Sequence, residues 1–491
     1  MSKMSIDMSL IISIVLLVIV LSVTYVYAKN KSSSNAQKVQ AFSYDFEAVN
    51  SILAEGKRIL ILAPHQDDEA LMCAGVISHA LRNGVEVKIG VITNGDKKGR
   101  KIGLTRIKET IKAMDCLGLD RKNITFFGYG STEMNVKTSF MYRLYHADTD
   151  NTVIASNVGS ETYSIPDSPE YHSQKFGIPG SYNRSSLRED LKLFISEYKP
   201  DHIFTASLYD IHPDHFILYQ FIIEAIIITK RTTPAYSPIL HEYIIHSHDG
   251  DDFWPLRNQK NNTPAPFSKP ATFDTDTLLD WEKREIFTVP IEMQSIPYSK
   301  NKKHVVISKY RSQRPSGNKN YLYSYVKRDE IFWKKDFSNI ALLASVSVSS
   351  ENLATDQLGC KVIDGISEGY PRFPKNECTS LGETAGAWIQ LNWSQAYNVN
   401  KIVLYDRPNL KDNIISATLS FSDGTWIDTG PLPNNGSSYE ILFAPKSINW
   451  VKLTVTKASG ENVGLSEFEV YQTLGNPNLS SNPLQGEPLC K

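Results

Sequence analysis

An α/β domain on a parallel sheet, an all-β sandwich after it and one membrane-spanning helix before it are the fold that the hydrophobic patterning predicts. Three observations carry this. Short apolar runs alternate with helical repeats between residues 58 and 206, and that alternation builds a mostly parallel sheet. Beyond about residue 335 the segments are short, alternate in polarity and are separated by turn clusters, as in an antiparallel sandwich. Residues 10–28 form a run without charge, long enough to cross a bilayer.

The elements follow in chain order. After a flank at 1–9, residues 10–28 read LIISIVLLVIVLSVTYVYA. As a helix this run is about 28 Å long, close to the hydrocarbon thickness. A cleaved signal peptide is the rival, because Val26-Tyr27-Ala28 resembles a cleavage site, but the run is long for one, which favours an anchor. Residues 29–45 are rich in Lys, Ser, Asn and Gln and read as a flexible stalk. The α/β domain is expected over 46–335, with strands at 58–63, 85–93, 124–127 and 202–206 and helices at 70–82, 104–117 and 187–198. This is a Rossmann-like arrangement, in which sites lie beyond the carboxyl ends of the strands. The sandwich is expected over 336–474, with strands at 388–391, 401–405, 417–421, 448–456 and 467–471, and a disordered tail at 475–491.

Composition narrows the function. Hydrophobic residues make up 41%, charged residues 21%, and the net charge is −1. No global field favours nucleic acid. The five cysteines contain no Cys-x-x-Cys pair, so a thiolate zinc site is not indicated. Cys73 and Cys116 sit in apolar helical patterns and read as buried free thiols. Cys360 and Cys378 are close in a loop-rich stretch and suit a disulfide in an oxidising compartment.

Chemistry concentrates at two strand ends. The first strand runs into Pro64-His65-Gln66-Asp67-Asp68-Glu69, and the fourth leads into Tyr209-Asp210-Ile211-His212-Pro213-Asp214-His215. Either segment alone also reads as a helix cap or a solvated loop. Two His/Asp clusters at one edge of one sheet favour a catalytic zinc site with nitrogen and carboxylate ligands and an open position for water.

The segment APHQDDEALMCAG resembles the Ala-His-Pro-Asp-Asp-Glu signature of the PIG-L (LmbE-like) de-N-acetylase family, and IHPDH resembles that family's second metal motif. TNGD at 93–96, the pattern R-x-x-E-x-x-x-A-x-x-x-L-G from Arg106 to Gly118, and Y-x-S-Q at 310–313 extend the resemblance over roughly 55–335. One departure is Gln66, where the family usually has Pro. The resemblance implies a zinc-dependent hydrolase that removes acetyl groups from N-acetylglucosamine-containing glycans or glycoconjugates. It assigns His65, Asp68 and His215 to the metal and Asp67 to the general base, later the acid. A protonated His212 would stabilise the oxyanion. Asp210 and Asp214 would orient a metal-binding histidine, and Arg106, Asn94 and Asp96 would contact substrate or shape the pocket. A charge pair of Arg106 with Glu109 and a plain turn at Asn94 and Asp96 are the alternatives. The insertion around 142–184 offers Tyr163, Tyr171, His172 and Tyr182 for stacking on sugars, or a surface loop without such a role.

The segments NIALLASVSVSS, VIDG, AWIQLNW, VLYDR and GLSEFEVY resemble discoidin, or coagulation factor 5/8 type C, domains. The resemblance implies an eight-stranded jelly roll that binds a glycan or lipid headgroup, with Asp364 and Glu467 as calcium ligands. Tyr370, Phe373 and Trp426 are the aromatic candidates. A membrane-tethered glycan-binding protein on an inactive deacetylase scaffold is the competing function, and intact Asp67 and ligands weigh against it. The expected bridge and the discoidin-like module place 29–491 in the secretory lumen or outside the cell, where Asn-x-Ser/Thr sequons such as that at Asn183 would carry glycans. The lysines after the apolar run and the GPI-pathway relatives point instead to an endoplasmic-reticulum protein facing the cytosol.

Overall fold

The computed structural model describes residues 52–131, 134–258, 263–313 and 321–473. The chain divides after Ala54. Only residues 52–54 of the first unit are described, and all that follows concerns the second. The expected anchor at 10–28, the stalk and most of the tail lie outside the described residues. Among the described residues no helix is long and apolar enough to cross a membrane.

The first domain is a seven-stranded mixed sheet in the order β3-β2-β1-β4-β5-β7-β6. Its parallel part comprises β1 (Arg58–Ala63), β2 (Glu86–Thr93), β3 (Ile124–Tyr129), β4 (His202–Ala206) and β5 (Ile239–Tyr243). The antiparallel β7 (Asp329–Asp336) then pairs with β5 and with β6 (Glu285–Thr288). Strand β1 is buried along nearly its whole length, as expected of a strand covered on both faces. The helices are α1 (Asp68–Arg82), α2 (Arg100–Leu117), α3 (Phe140–Tyr145), α4 (Tyr171–Phe176), α5 (Arg184–Tyr198), α6 (Pro213–Thr232), α7 (Phe273–Asp276) and α8 (Lys302–Ile307). Leu60 and Leu62 join a core with Leu191 of α5 and Ile217 and Phe221 of α6, while α1 packs on β1, β2 and β7.

The topology fixes where a site can form. From β1 the chain winds outward through β2 to β3, then returns to place β4 on the other side of β1. The strand order reverses between β1 and β4, and the crevice at such a switch point is where open α/β sheets bind ligands.

The sandwich is antiparallel, with strand order β11-β10-β12-β9-β13 and β8 added to β9. Its strands are β8 (Ser345–Val348), β9 (Trp388–Asp406), β10 (Asn413–Phe421), β11 (Trp426–Asp428), β12 (Ser438–Ser459) and β13 (Leu465–Gln472). The expected strands 388–391 and 401–405 are the two ends of β9, which pairs with β12 through register shifts. Leu391, Leu404, Leu419, Leu453 and Phe468 fill the interior. Arg231 of α6 reaches this domain, donating Nε to the Leu342 carbonyl at 2.9 Å and Nη2 to that of Ala344 at 3.3 Å.

The expected Cys360–Cys378 bridge is corrected: Cys378 is a free, buried thiol, and Cys360 is disulfide-bonded elsewhere. Proximity along a loop-rich stretch does not bring two Cβ atoms to bonding distance. Cys73 and Cys116 are free thiols.

Candidate metal and catalytic site

The loop after β1 carries His65, Asp67 and Asp68 over the sheet edge, and the loop after β4 brings Asp210 and His212, with Asp214 and His215 in the first turn of α6. His65 Nδ1 lies 3.1 Å from His215 Nε2, and Asp68 Oδ2 lies 3.4 Å from the first and 3.3 Å from the second. Donors about 2.0–2.1 Å from a tetrahedral metal are spaced about 3.3–3.4 Å apart, so this triangle fits one. His212 completes a group of three histidines whose donor atoms lie within 4.8 Å of one another.

Two carboxylates hold the outer ring nitrogens. His65 Nε2 lies 3.0 Å from Asp214 Oδ2, which also accepts the Ser131 hydroxyl at 2.9 Å. His215 Nδ1 lies 3.0 Å from Asp210 Oδ2, off the ideal hydrogen-bond line. Asp210 Oδ2 also accepts the Ile245 and His246 amides at 2.8 and 3.0 Å. Carboxylates behind metal-binding histidines fix ring orientation and raise basicity. Burial opposes protonation of both histidines. Hydrogen bonds to Asp214 and Asp68 outweigh it at His65, and the charges of Asp210 and Asp68 outweigh it at His215, so both are raised. The same field favours a divalent cation in place of two protons.

Asp67 precedes α1 with φ 120°, and its side chain makes no cap hydrogen bond, so helix capping does not explain it. A non-glycine residue at that φ is strained, and such strain persists where surroundings over-determine it. The backbone N–H of Asp67 donates to Glu69 Oε2 at 2.9 Å, and Glu69 Oε1 accepts the Tyr310 hydroxyl at 2.6 Å. Arg106 donates Nη2 to the Gln66 carbonyl at 2.8 Å and lies 3.4 Å from Asp67 Oδ1. Burial raises the Asp67 carboxyl to about 6 despite Arg106, near the range useful for a proton carrier at neutral pH. Gln66 donates its amide to the Thr93 carbonyl at 2.9 Å, tying the loop to the end of β2.

The geometry corrects several expected roles. Arg106 is turned to Asp67 rather than to Glu109, which accepts the Ser312 amide at 2.9 Å and its hydroxyl at 2.6 Å. Asn94 donates to the Tyr163 carbonyl at 2.8 Å, and Asp96 accepts the Ser131 amide at 2.9 Å and the Tyr163 hydroxyl at 2.7 Å. Neither lines the cavity; Asp96 holds Ser131, which does, so its part is to shape the pocket. Gly95 has φ +56°, which favours glycine, and a Cβ there would displace the Arg106 guanidinium. His212 accepts the Asp214 amide on Nδ1 at 3.2 Å, and burial with neighbouring histidine charges holds its pKa well below the usual value. With Nδ1 accepting, Nε2 is the ring nitrogen left to act in the cavity. Tyr163, Tyr171 and Tyr182 are buried, and His172 pairs with Asp190 at 2.8 Å, so none offers a stacking platform.

Sequence reasoning missed Ser131, which follows β3, and His246, which follows β5. Position just beyond a strand was the available signal for Ser131; β5 itself was not recognised. The cavity, of about 310 Å³, opens on Asp67, Asp68, Arg106 and His212, with Tyr321 and Leu322 on a further wall.

Comparison with known proteins defines the class of the first domain: residues 60–226 match the PIG-L family model, described as GlcNAc-PI de-N-acetylase, and this is a PIG-L, LmbE-like domain. Residues 339–471 match a model described as a domain of unknown function, DUF7402. Among solved structures, N,N'-diacetylchitobiose deacetylase from Pyrococcus horikoshii is 16% identical with a TM-score of 0.31, over 57% of this chain and 84% of that one. Chitosan-binding module 2 of a chitosanase/glucanase from Paenibacillus sp. IK-5 is 22% identical with a TM-score of 0.23, over 27% of this chain and 99% of that one. The family 32 module of Clostridium perfringens NanJ is 17% identical with a TM-score of 0.22, over 26% and 93%. No curated protein matches.

Proposed function

We propose that the protein is a zinc-dependent de-N-acetylase that hydrolyses the acetamide of N-acetylglucosamine-containing glycans or glycoconjugates and releases acetate. The observation that carries this is the triangle of His65 Nδ1, Asp68 Oδ2 and His215 Nε2, with sides of 3.1–3.4 Å, set beside Asp67 in a PIG-L domain. His65, Asp68 and His215 would hold the metal, which when bound supplies Lewis acidity to the acyl oxygen and the attacking water.

The remaining chemistry belongs to the chain. Asp67 accepts a proton from water as its oxygen adds to the acetamide carbonyl. His212 donates from Nε2 to the developing oxyanion. Collapse of the tetrahedral adduct breaks the C–N bond, Asp67 returns the proton to the leaving nitrogen, and acetate and a free amine result. Arg106 holds Asp67 in place throughout.

In the same reading the sandwich holds calcium at Asp364 and Glu467 and binds a glycan or lipid headgroup. Glu467 is fully buried, and among the described residues its carboxylate oxygens meet no side-chain donor, which supports a cation there. The chain is anchored through residues 10–28 and faces the secretory lumen or the exterior. The disulfide at Cys360 supports an oxidising compartment.

Acetate release from a panel of N-acetylglucosamine-containing substrates, with zinc analysis of the same sample, tests this. Acetate from at least one substrate, lost on chelation and restored by zinc, is expected. Absence of acetate across the panel at full zinc occupancy would overturn it.

A further inference from the structure

A second cavity, of about 490 Å³, opens where α3, α5 and α6 meet the loops of the sandwich between residues 356 and 376. It shares no lining residue with the catalytic cavity. Its volume falls within the ~300–1,000 Å³ typical of small-molecule sites, which cluster at domain interfaces.

The chemistry of its wall is selective. Gln220, in the middle of α6, is 5% exposed and lines the cavity. Among the described residues its carboxamide has no hydrogen-bond partner, yet neither amide atom is sealed off. Its donor and acceptor therefore open only on the cavity, where water or a ligand partners them. Asn376 lines the same cavity, 8% exposed, with its Nδ2 on the Glu368 carbonyl at 3.1 Å. Ile227 and Ile366 add buried aliphatic surface.

Most of the charged side chains around this floor are paired with one another, while Arg231 is held by the Leu342 and Ala344 carbonyls. Arg184 pairs with Glu224 at 2.7 Å and Arg188 with Asp150 at 2.6 Å. Lys375 lies 3.7 Å from Asp356, and Lys361 lies 3.7 Å from Asp364, whose carboxylate is also the proposed calcium ligand. An ionic ligand would have to break these pairs. An uncharged ligand rich in donors and acceptors keeps them and satisfies Gln220, while its C–H faces rest on the isoleucines.

We propose that this interdomain cavity binds an uncharged sugar unit of a glycan, separately from the catalytic cavity. Bound there, the sugar touches both domains, so its binding favours the docked arrangement of the sandwich on α6.

Isoleucine δ1-methyl NMR on the full-length chain reads both cavities, since Ile227, Ile228 and Ile366 line this one and Ile102 and Ile245 line the catalytic one. The probes are N-acetylglucosamine, glucose and galactose, with inorganic phosphate as the charged control. At least one sugar is expected to shift the Ile227 and Ile366 methyls saturably. Gln220→Met should weaken that response at least tenfold and leave the Ile102 and Ile245 response unchanged. Ile228→Trp, which fills the cavity from its half-buried rim, gives a second variant should the first not fold. No saturable shift at Ile227 and Ile366 with any sugar, a shift with phosphate alone, or a wild-type titration in a folded variant would overturn the proposal.

Discussion

Arg106 Nη2 stands 3.4 Å from Asp67 Oδ1 while the same guanidinium holds the carbonyls of Gln66 and Gly95. One side chain thus fixes both the carboxylate and the strained loop that carries it. Arg106→Lys keeps the charge and loses the planar fork. Acetate release is expected to fall ~10²-fold, the scale of a misplaced catalytic group, with KM changing far less and metal content unchanged. Steady-state kinetics with metal analysis checks this; a rise in KM alone would make Arg106 a substrate contact instead.

Asp214 Oδ2 holds His65 Nε2 and the Ser131 hydroxyl, so under the proposed function both would act on a bound metal through His65. Asp214→Asn should weaken metal binding ~10–100-fold, as removal of such partners does, and Ser131→Ala less. Competition against a chelator of known affinity measures both. Equal affinity in Asp214→Asn and wild type would remove Asp214 from this role.

Glu330 accepts the Gly75 amide at 2.8 Å, the Val76 amide at 2.9 Å and Lys303 Nζ at 2.7 Å, all fully buried. This ion pair clamps α1 to β7 and α8. Breaking a buried pair leaves a bare charge and costs ~3–5 kcal/mol. Lys303→Met is expected to lose that much stability, and the double variant with Glu330→Gln less than the sum of the singles. Denaturant unfolding checks both.

His202 of β4 lies 3.0 Å from His241 across the sheet. Burial, and then the charge of His241, lowers it to about 4, against ~6.5 in an unfolded chain. Between those values the unfolded chain binds a proton that the native one does not, so stability falls as pH falls through this window, by ~3 kcal/mol in all. His202→Gln removes that component. Between pH 7 and 4.5 the unfolding midpoint of the wild type should therefore fall further than that of the variant; equal falls would contradict the assignment.

Much of this was legible in the chain because strand ends carry local signals. β1 and β4 are short apolar runs, and the His/Asp clusters follow them directly. The convergence of those clusters was not local: it was expected from their places after two strands of one sheet, and it depends on β4 returning beside β1. β5, β6 and β7 escaped because Pro, Asn and charged residues break the pattern around them, and with β5 went His246. The insertion's tyrosines misled because polar neighbours resemble a surface loop, whereas Tyr163 and Tyr182 are core residues. The helix-capping bond on His212 Nδ1 was not legible, because it is a backbone contact that sequence does not display.

In the proposed reaction Asp67 moves the proton, beside a metal held by His65, Asp68 and His215. Asp67→Asn, measured for metal content and acetate release in one sample, tests it most directly. The account predicts metal at the wild-type stoichiometry and acetate release reduced ~10²–10⁴-fold. Near-wild-type release with metal retained, or loss of the metal itself, would contradict it.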